Sequence, residues 1–377
     1  MTGSWEHQTR AHRGSLVTLL TEVDPGFSLG LKRASKSICK GEDLGKTINI
    51  SDVAADAGVS RTTVSHALSG NSPVSDATRK RVQESVHRLG YRPNLVARSL
   101  RLQRTHTVAL LVVDIANPYY PALARSAIDG LAAKGYTTFI GNTDGKAETE
   151  QKLLEDSVAR NADGIIITPM SLGFNHIRTI VGSTPLVIIG YTRATPVADM
   201  VSTLDAQGIT EAVAHLCTSG RTDIAFVSGP VDHEPGPTRL NAFRDAANKA
   251  QITVPPTRIL HTSFTRDGGH IAGATIFSQD PSTHPSAIIC ANDLIAIGVM
   301  DAAHERGIRI PEDVAIIGFD NIEITGLLTT KLTTIDNSAA EVGGKSADVL
   351  LKRIADPGAT SFQVIELATR LIIRDST

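Results

Sequence analysis

From residue 106 onward the chain repeats one pattern, and that pattern leaves few folds open. The runs "TVALLVVD", "TTFIGN", "GIIITP", "LVIIGY", "IAFVSG", "SAIICAND" and "VAIIGFD" are short and rich in β-branched residues. Most are apolar throughout rather than alternating. Stretches of helical period separate them, at 121–134, 148–161, 206–219 and 294–306. A strand that is apolar on both faces must be covered on both faces, and intervening helices supply that cover in a parallel, doubly wound sheet. There are more such runs than one compact sheet holds, and 377 residues exceed one typical core. Two α/β lobes are therefore expected over residues 106–377.

Ligands of doubly wound sheets sit beyond the carboxyl ends of the strands. Aromatics make up only 4% of the chain, yet Tyr119, Tyr120, Tyr191 and Phe264 all fall just past strands. His233, Arg239, Asn292 and Asp320 occupy comparable positions. An aromatic wall with a few fixed polar groups suits a flat polar ligand such as a sugar or a base. Capping of the following helix is the expected role of Asp293. For Arg239 and Asp320, ligand contact and structural ion pairing stay equally open on the residues alone.

The segment before the repeat is different in charge. Residues 47–105 hold nine Lys/Arg against four Asp/Glu, whereas residues 106–377 hold 21 against 30. A small basic unit beside a large acidic one points to a polyanionic partner, nucleic acid first. Three short helices are expected in 47–93. Asn49 with Asp52 has the form of a capping box, Gly58 breaks the first helix, and Ser60 and Ser75 cap the next two. The third helix runs from about Asp76 to Leu89, with Val82, Val86 and Leu89 as its apolar stripe and Gly90 past its end. The second, within "VSRTTVSHALSG", buries Val64, Ala67 and Leu68 and turns Arg61, Thr62, Ser65 and His66 outward. That is a helix-turn-helix layout. In a DNA groove hydroxyls reach phosphates, while Arg and His reach the guanine acceptors.

Residues 94–105 read as a hinge helix and linker. Pro93 stops the preceding helix, Asn94 caps a new one, and Val96, Ala97 and Leu100 form an apolar edge flanked by arginines. This suits a minor-groove wedge, with an amphipathic connector as the plain alternative. Residues 1–46 show no sustained period and read as a poorly ordered leader. The N-terminal stretch does not read as a secretory signal, and no run approaches the ~18 apolar residues that would be expected to span a membrane. Cys39, Cys217 and Cys290 are odd in number and far apart, which fits a reducing cytoplasm. No motif for nucleotide hydrolysis, metalloprotease or serine hydrolase chemistry occurs. His7 and His12 do not make a metal site, and no cofactor is called for.

The stretch from "INISDVAADAGVS" through "RTTVSHALSG" to "NLVARSLR" resembles the headpiece and hinge of the lactose/galactose repressor (LacI/GalR) family of bacterial transcription regulators. "TTVSHAL" and "VARSL" are most similar to its purine-responsive members. The resemblance covers residues 47–377. It implies an all-α helix-turn-helix headpiece joined to an α/β core like that of periplasmic binding proteins, two doubly wound parallel-sheet lobes with the effector between them. By the family's pattern Arg61, Thr62 and His66 read bases, while Ser60, Thr63, Ser65 and Ser69 touch phosphates. Leu100 with Ala97 wedges the minor groove, and Asn94 joins the DNA-side set. Arg239, Asn292 and Asp320, with Tyr119, Tyr191 and Phe264, match effector contacts; Tyr120 and His233 lie beside them.

The resemblance further implies a ligand-responsive, sequence-specific regulator, a repressor that is not an enzyme. It would be cytoplasmic and nucleoid-associated, with no membrane partner. It would bind a palindromic operator in double-stranded DNA as a homodimer, a tetramer staying open, and answer to a small polar metabolite, a sugar first. Gly190 stands where sugar-responsive members often carry an acid. His233 and Pro235 stand where purine-responsive members have polar contacts, which counts against a purine. The alternative, a periplasmic-type solute-binding protein, accounts for residues 106–377 but not for the headpiece. A sugar-modifying enzyme would need an acid–base or nucleophile constellation that the chain does not display.

Overall fold

The computed structural model describes residues 48–69, 74–92, 104–190 and 196–377. Asn94, Ala97, Leu100 and Tyr191, the side chain of Ser69, most of the expected hinge and the leader lie outside the described residues. The chain divides into two units, 1–94 and 95–377.

The first unit holds helices α1 (Ile50–Ala57), α2 (Arg61–Ser69) and α3 (Asp76–Leu89). Each boundary has a local cause. Asn49 Oδ1 accepts from the Ser51 N–H at 2.8 Å, and the Asp52 carboxylate accepts from the Asn49 N–H at 2.9 Å. This reciprocal cap satisfies N–H groups that have no partner inside the helix. Gly58 ends α1 at φ 63°, a left-handed conformation that costs a residue with a Cβ about 1 kcal/mol. Ser60 Oγ accepts from the Thr63 N–H at 3.0 Å, and Ser75 Oγ from the Thr78 N–H at 3.3 Å. Val53, Ala54, Ala57, Val64, Ala67 and Val82 form the core, with Val86 and Leu89 packed against it. Leu68 departs from expectation: it is 36% exposed and lies outside that core. Ser85 is fully buried on α3 and donates to Asp56 on α1 at 2.5 Å. Arg88 bonds the same carboxylate and holds it below the usual Asp range. The helices are thus tied by polar groups as well as by packing.

The second unit contains two six-stranded sheets. Lobe 1 is built from β1 (Thr107–Val112), β2 (Thr137–Asn142), β3 (Gly164–Ile167), β4 (Leu186–Ile189), β5 (Asp199–Thr203) and β11 (Val364–Leu367). Their order is β11-β5-β4-β3-β1-β2, with every pair parallel. Lobe 2 is built from β6 (Ile224–Ser228), β7 (Ile259–His261), β8 (Ala287–Cys290), β9 (Ala315–Phe319), β10 (Thr333–Asp336) and β12 (Arg370–Ile372), in the order β12-β10-β9-β8-β6-β7. The expected parallel sheet is present in both lobes, and one edge strand of lobe 2 departs from it: β12 runs antiparallel to β10. It forms an edge of this sheet and enters two residues after β11 ends in the other lobe.

The helices cover both faces, as the apolar strands demand. In lobe 1 they are α4 (Tyr119–Ala132), α5 (Ala147–Ala159), α6 (Phe174–Val181) and α11 (Ala339–Ala355). In lobe 2 they are α7 (Asp205–Thr218), α8 (Gly236–Lys249), α9 (Arg266–Phe277) and α10 (Asp293–His304). Strands β1, β3, β8 and β9 are buried along nearly their whole length. Edge strand β2 is not: Phe139 and Ile140 are exposed although the run "TTFIGN" is apolar.

The chain passes between lobes three times, from β5 to α7, from β10 to α11 and from β11 to β12. These crossings are bound together by side chains. Thr369 Oγ1 accepts from the Gly208 N–H at 2.9 Å and donates to the Leu204 carbonyl at 2.8 Å. Arg370 pairs with Asp336 at 3.2 Å.

Candidate functional site

The strand ends of the two lobes face one another across a cleft of about 460 Å³, within the range of ligand pockets. Tyr119, Tyr120, His233, Arg239, Phe264, Asn292 and Asp320, all expected at a ligand site, line it together.

Local geometry sets each wall. Tyr119 and Tyr120 open α4, where Asn117 Oδ1 accepts from the Tyr119 N–H at 3.1 Å and fixes the turn. Their rings meet edge to face at 5.2 Å. Burial raises both phenols above the usual tyrosine range, and the Asp320 charge adds to it, so they stay protonated donors. Phe264 lies on the bare backbone of Gly229, where an added Cβ would sit 2.0 Å from a ring carbon. The loop after β3 is held from behind. Glu150 on α5 is fully buried and accepts from the Met170, Ser171 and Leu172 N–H groups, the shortest at 2.7 Å. Met170 forms part of the cleft wall.

The cleft's interior is a charged network. Arg239 on α8 is 5% exposed. Its Nε donates to Asp205 at 2.7 Å and its Nη1 to the Ala291 carbonyl at 2.6 Å. The guanidinium rests 3.6 Å from the centroid of the Phe319 ring, and Asp320 stands 3.6 Å from Nη1. Both roles left open for Arg239 are therefore present, since it is ion-paired and also lines the cleft. Asp320 has φ 117° and accepts from Asn337 Nδ2 at 3.1 Å. Burial pushes its carboxyl up to about 7; Arg239 opposes that rise and Asp205 adds to it. Asn337 itself is 1% exposed, and its Oδ1 is buried without a partner among the described residues.

Two expectations change. Asn292, not Asp293, caps α10: its Oδ1 accepts from the Ile295 N–H at 2.8 Å while its Nδ2 donates to the Phe264 carbonyl at 3.2 Å. That amide thus positions the Phe264 wall. Asp293 is fully buried and accepts from Thr334 Oγ1 at 2.5 Å and from the Ile322 N–H at 2.9 Å, joining the segments after β9 and within β10. Burial and the neighbouring Asp320 charge raise its carboxyl well above the ordinary range.

Sequence reasoning missed Asp205, Asn337, Glu150 and Asn117. Asp205 and Asn337 follow β5 and β10, strands too polar to stand out as apolar runs. Asn117 sits inside "DIANPYYPAL", where its proximity to two tyrosines was the available signal. Glu150 carried none, because an acid in the first turn of a helix is ordinary.

On the first unit, Arg61, Thr62 and His66 are exposed on α2, and Ser65 is half-buried. Ser60 and Thr63 bond each other, Oγ to Oγ1, at 2.8 Å. Those two hydroxyls serve the helix cap before any other partner. Arg61 and Thr62 sit at the start of the helix, where backbone N–H groups favour an anion, and His66 lies in its last turn.

The profile described as "Bacterial regulatory proteins, lacI family" matches residues 49–94, and that of a "Periplasmic binding protein-like domain" matches residues 213–377. The HTH-type transcriptional repressor PurR of Aliivibrio fischeri (strain MJ11) is 32% identical over 329 residues, spanning 87% of this chain and 97% of its own. The crystal structure of the lac repressor dimer bound to operator and the anti-inducer ONPF superposes with TM-score 0.79 at 24% identity, covering 88% of this chain and 99% of that one. A LacI family transcriptional regulator from Enterococcus faecium with bound ribose gives TM-score 0.65 at 29% identity, covering 72% and 98%. Among the described residues no helix is long and apolar enough to cross a membrane.

Proposed function

The chain belongs to the lacI family of bacterial regulatory proteins and is a ligand-responsive, DNA-binding transcriptional repressor, and from that premise we propose how its residues divide the work. Arg61, Thr62 and His66 read base edges in the major groove of a palindromic operator, and the protein works in the cytoplasm. Ser60, Thr63, Ser65 and Ser69 contact phosphates. Asn94, Ala97 and Leu100 belong to a hinge, with Leu100 wedged into the minor groove. The effector is a small sugar, held between the aromatic walls and the Arg239–Asp320 floor, with Tyr191 as a further wall.

The observation that carries this reading is the convergence of groups from both lobes on one cleft lined by Arg239 and Asp320. A ligand seated there touches both lobes and so favours one degree of closure over another. By linkage it must shift whatever that closure is coupled to. In a dimer, closure changes how the two headpieces are presented to two half-sites one helical turn apart. Exposed Arg61 suits bidentate contact with guanine.

The test is operator affinity by fluorescence anisotropy, with and without a sugar that stabilises the protein. Replacing Arg239 or Phe264 by Ala abolishes the sugar's effect while ligand-free operator binding persists. A normal sugar response in the Phe264→Ala protein would move the effector site out of this cleft.

A further inference from the structure

Taking the cleft as the effector site, we infer that it admits only an effector without a negative charge: an uncharged polyol ring is accepted, and its phosphorylated or carboxylated relatives are refused. Three observations converge on this.

The first is that the cleft's cation is already spent. Among the described residues Arg239 is the one Lys or Arg side chain in the lining. It is bonded to Asp205 at 2.7 Å and to the Ala291 carbonyl at 2.6 Å, with Asp320 at 3.6 Å and the Phe319 ring against its face. An arginine that binds a phosphate or carboxylate offers it two parallel N–H groups. Here Nε and Nη1 are both engaged inside the protein.

The second is the sign of what remains. Asp114, Asp144, Glu234 and Asp320 all line the cleft. Lys146 stands 3.7 Å from Asp144, but Lys146 is not part of the lining. His233 is engaged with Asp232 at 2.7 Å. A ligand anion would enter a field set by carboxylates, in a partly dry space where repulsion is poorly screened.

The third is an orphan acceptor. Asn337 lines the cleft, and its Oδ1 is buried without a partner among the described residues. Its orientation is set by the bond from Nδ2 to Asp320. A buried acceptor without a donor is costly, and a ligand hydroxyl would supply the donor. Asp320 asks for the same from the next position. At this end the cleft presents acceptors to its ligand, and the donors on its walls, the Tyr119 and Tyr120 phenols among them, carry no positive charge to hold an anion.

The experiment uses the full-length protein and matched probes: D-ribose with D-ribose 5-phosphate, D-glucose with D-glucose 6-phosphate and D-glucuronate, and inorganic phosphate as the common anion. Isothermal calorimetry on the wild type and on Asp114→Asn/Glu234→Gln reads the affinities. The expected result is that any member that binds is the neutral one, its charged partner being at least about tenfold weaker. Inorganic phosphate gives no heat of binding, and the double variant narrows the gap. Binding of a phosphorylated sugar as tight as its neutral parent, or a phosphate site lost on Arg239→Ala, would overturn the inference and leave the cleft as the effector site. Binding of a neutral sugar that is unchanged in Phe264→Ala would overturn the cleft assignment instead.

Discussion

Glu150 lies behind the cleft wall and touches no ligand position, so replacing it tests how the fold holds the site. The carboxylate is fully buried and takes three backbone donors: Met170 N at 2.7 Å and Ser171 N at 3.2 Å to Oε1, and Leu172 N at 2.9 Å to Oε2. In Glu150→Gln the amide oxygen keeps one side of this set. The NH₂ then faces a second N–H, and one buried donor loses its acceptor. Such a loss costs about 1–3 kcal/mol, towards the upper end for a charged acceptor. At roughly 2–4 °C per kcal/mol for domains of this size class, the melting temperature falls by about 2–12 °C. Glu150→Ala leaves all three donors unsatisfied and falls further. Because Met170 is part of the wall, the loosened loop also weakens sugar binding in the Gln variant, by about tenfold, or 1.4 kcal/mol. Ligand-free operator affinity stays within about twofold, a difference of roughly 0.4 kcal/mol. Circular dichroism melts, calorimetric sugar titration and operator anisotropy read the three quantities. A Gln variant that melts within about a degree of the wild type and binds sugar equally well would refute the reasoning, since a 1 kcal/mol loss alone moves the midpoint further.

Three other outcomes are expected. Arg61→Ala costs about 1–3 kcal/mol at one operator base pair and relaxes preference there, read by binding to a set of singly substituted operators; equal weakening on all of them would make Arg61 a phosphate contact. Gly229→Ala drives a methyl into the Phe264 ring, which the structure leaves no room for, and lowers sugar affinity by about tenfold (1.4 kcal/mol) without changing ligand-free operator binding. Sugar affinity depends on pH through Asp320, whose carboxyl is pushed up to about 7. Arg239, Asp205 and the neighbouring Asp293 are the charged groups around it. A ligand hydroxyl donates to the ionised form, so affinity is full above pH 7. It falls as the carboxyl protonates, by at most about tenfold per unit below that point. The slope disappears in Asp320→Asn, and affinity that rises on acidification would reverse the assigned roles.

The headpiece was legible because its signals are local. A capping box, two serine caps and two glycines that end helices mark boundaries within a turn of themselves, and Val64 with Ala67 on α2 and Val82, Val86 and Leu89 on α3 recur at helical spacing. Leu68 was misread because spacing alone does not say how wide the buried stripe is. The doubly wound core was legible wherever a strand is apolar on both faces, as in "GIIITP" or "VAIIGFD". It was not legible for "DMVST", "TTID", "VIEL" or "RLI". These are strands at or near the lobe crossings, where side chains hydrogen-bond across the hinge instead of packing. With them went Asp205 and Asn337, the groups that hold Arg239 and Asp320 in place. Phe264 and the two tyrosines were found through scarcity, since a chain with few aromatics had set them at strand ends. Asn292 was expected at a ligand site; it lines the cleft and also caps α10 and bonds the Phe264 carbonyl.

The central claim is that occupancy of one cleft governs the grip on DNA. The most direct measurement titrates a stabilising neutral sugar into the complex of the full-length protein with its selected palindromic duplex, for the wild type and for Phe264→Ala, and follows anisotropy. Wild-type operator affinity should change by at least fivefold, about 1 kcal/mol of coupling, while the variant stays flat. An operator affinity that does not move when the sugar saturates the wild-type protein would contradict it.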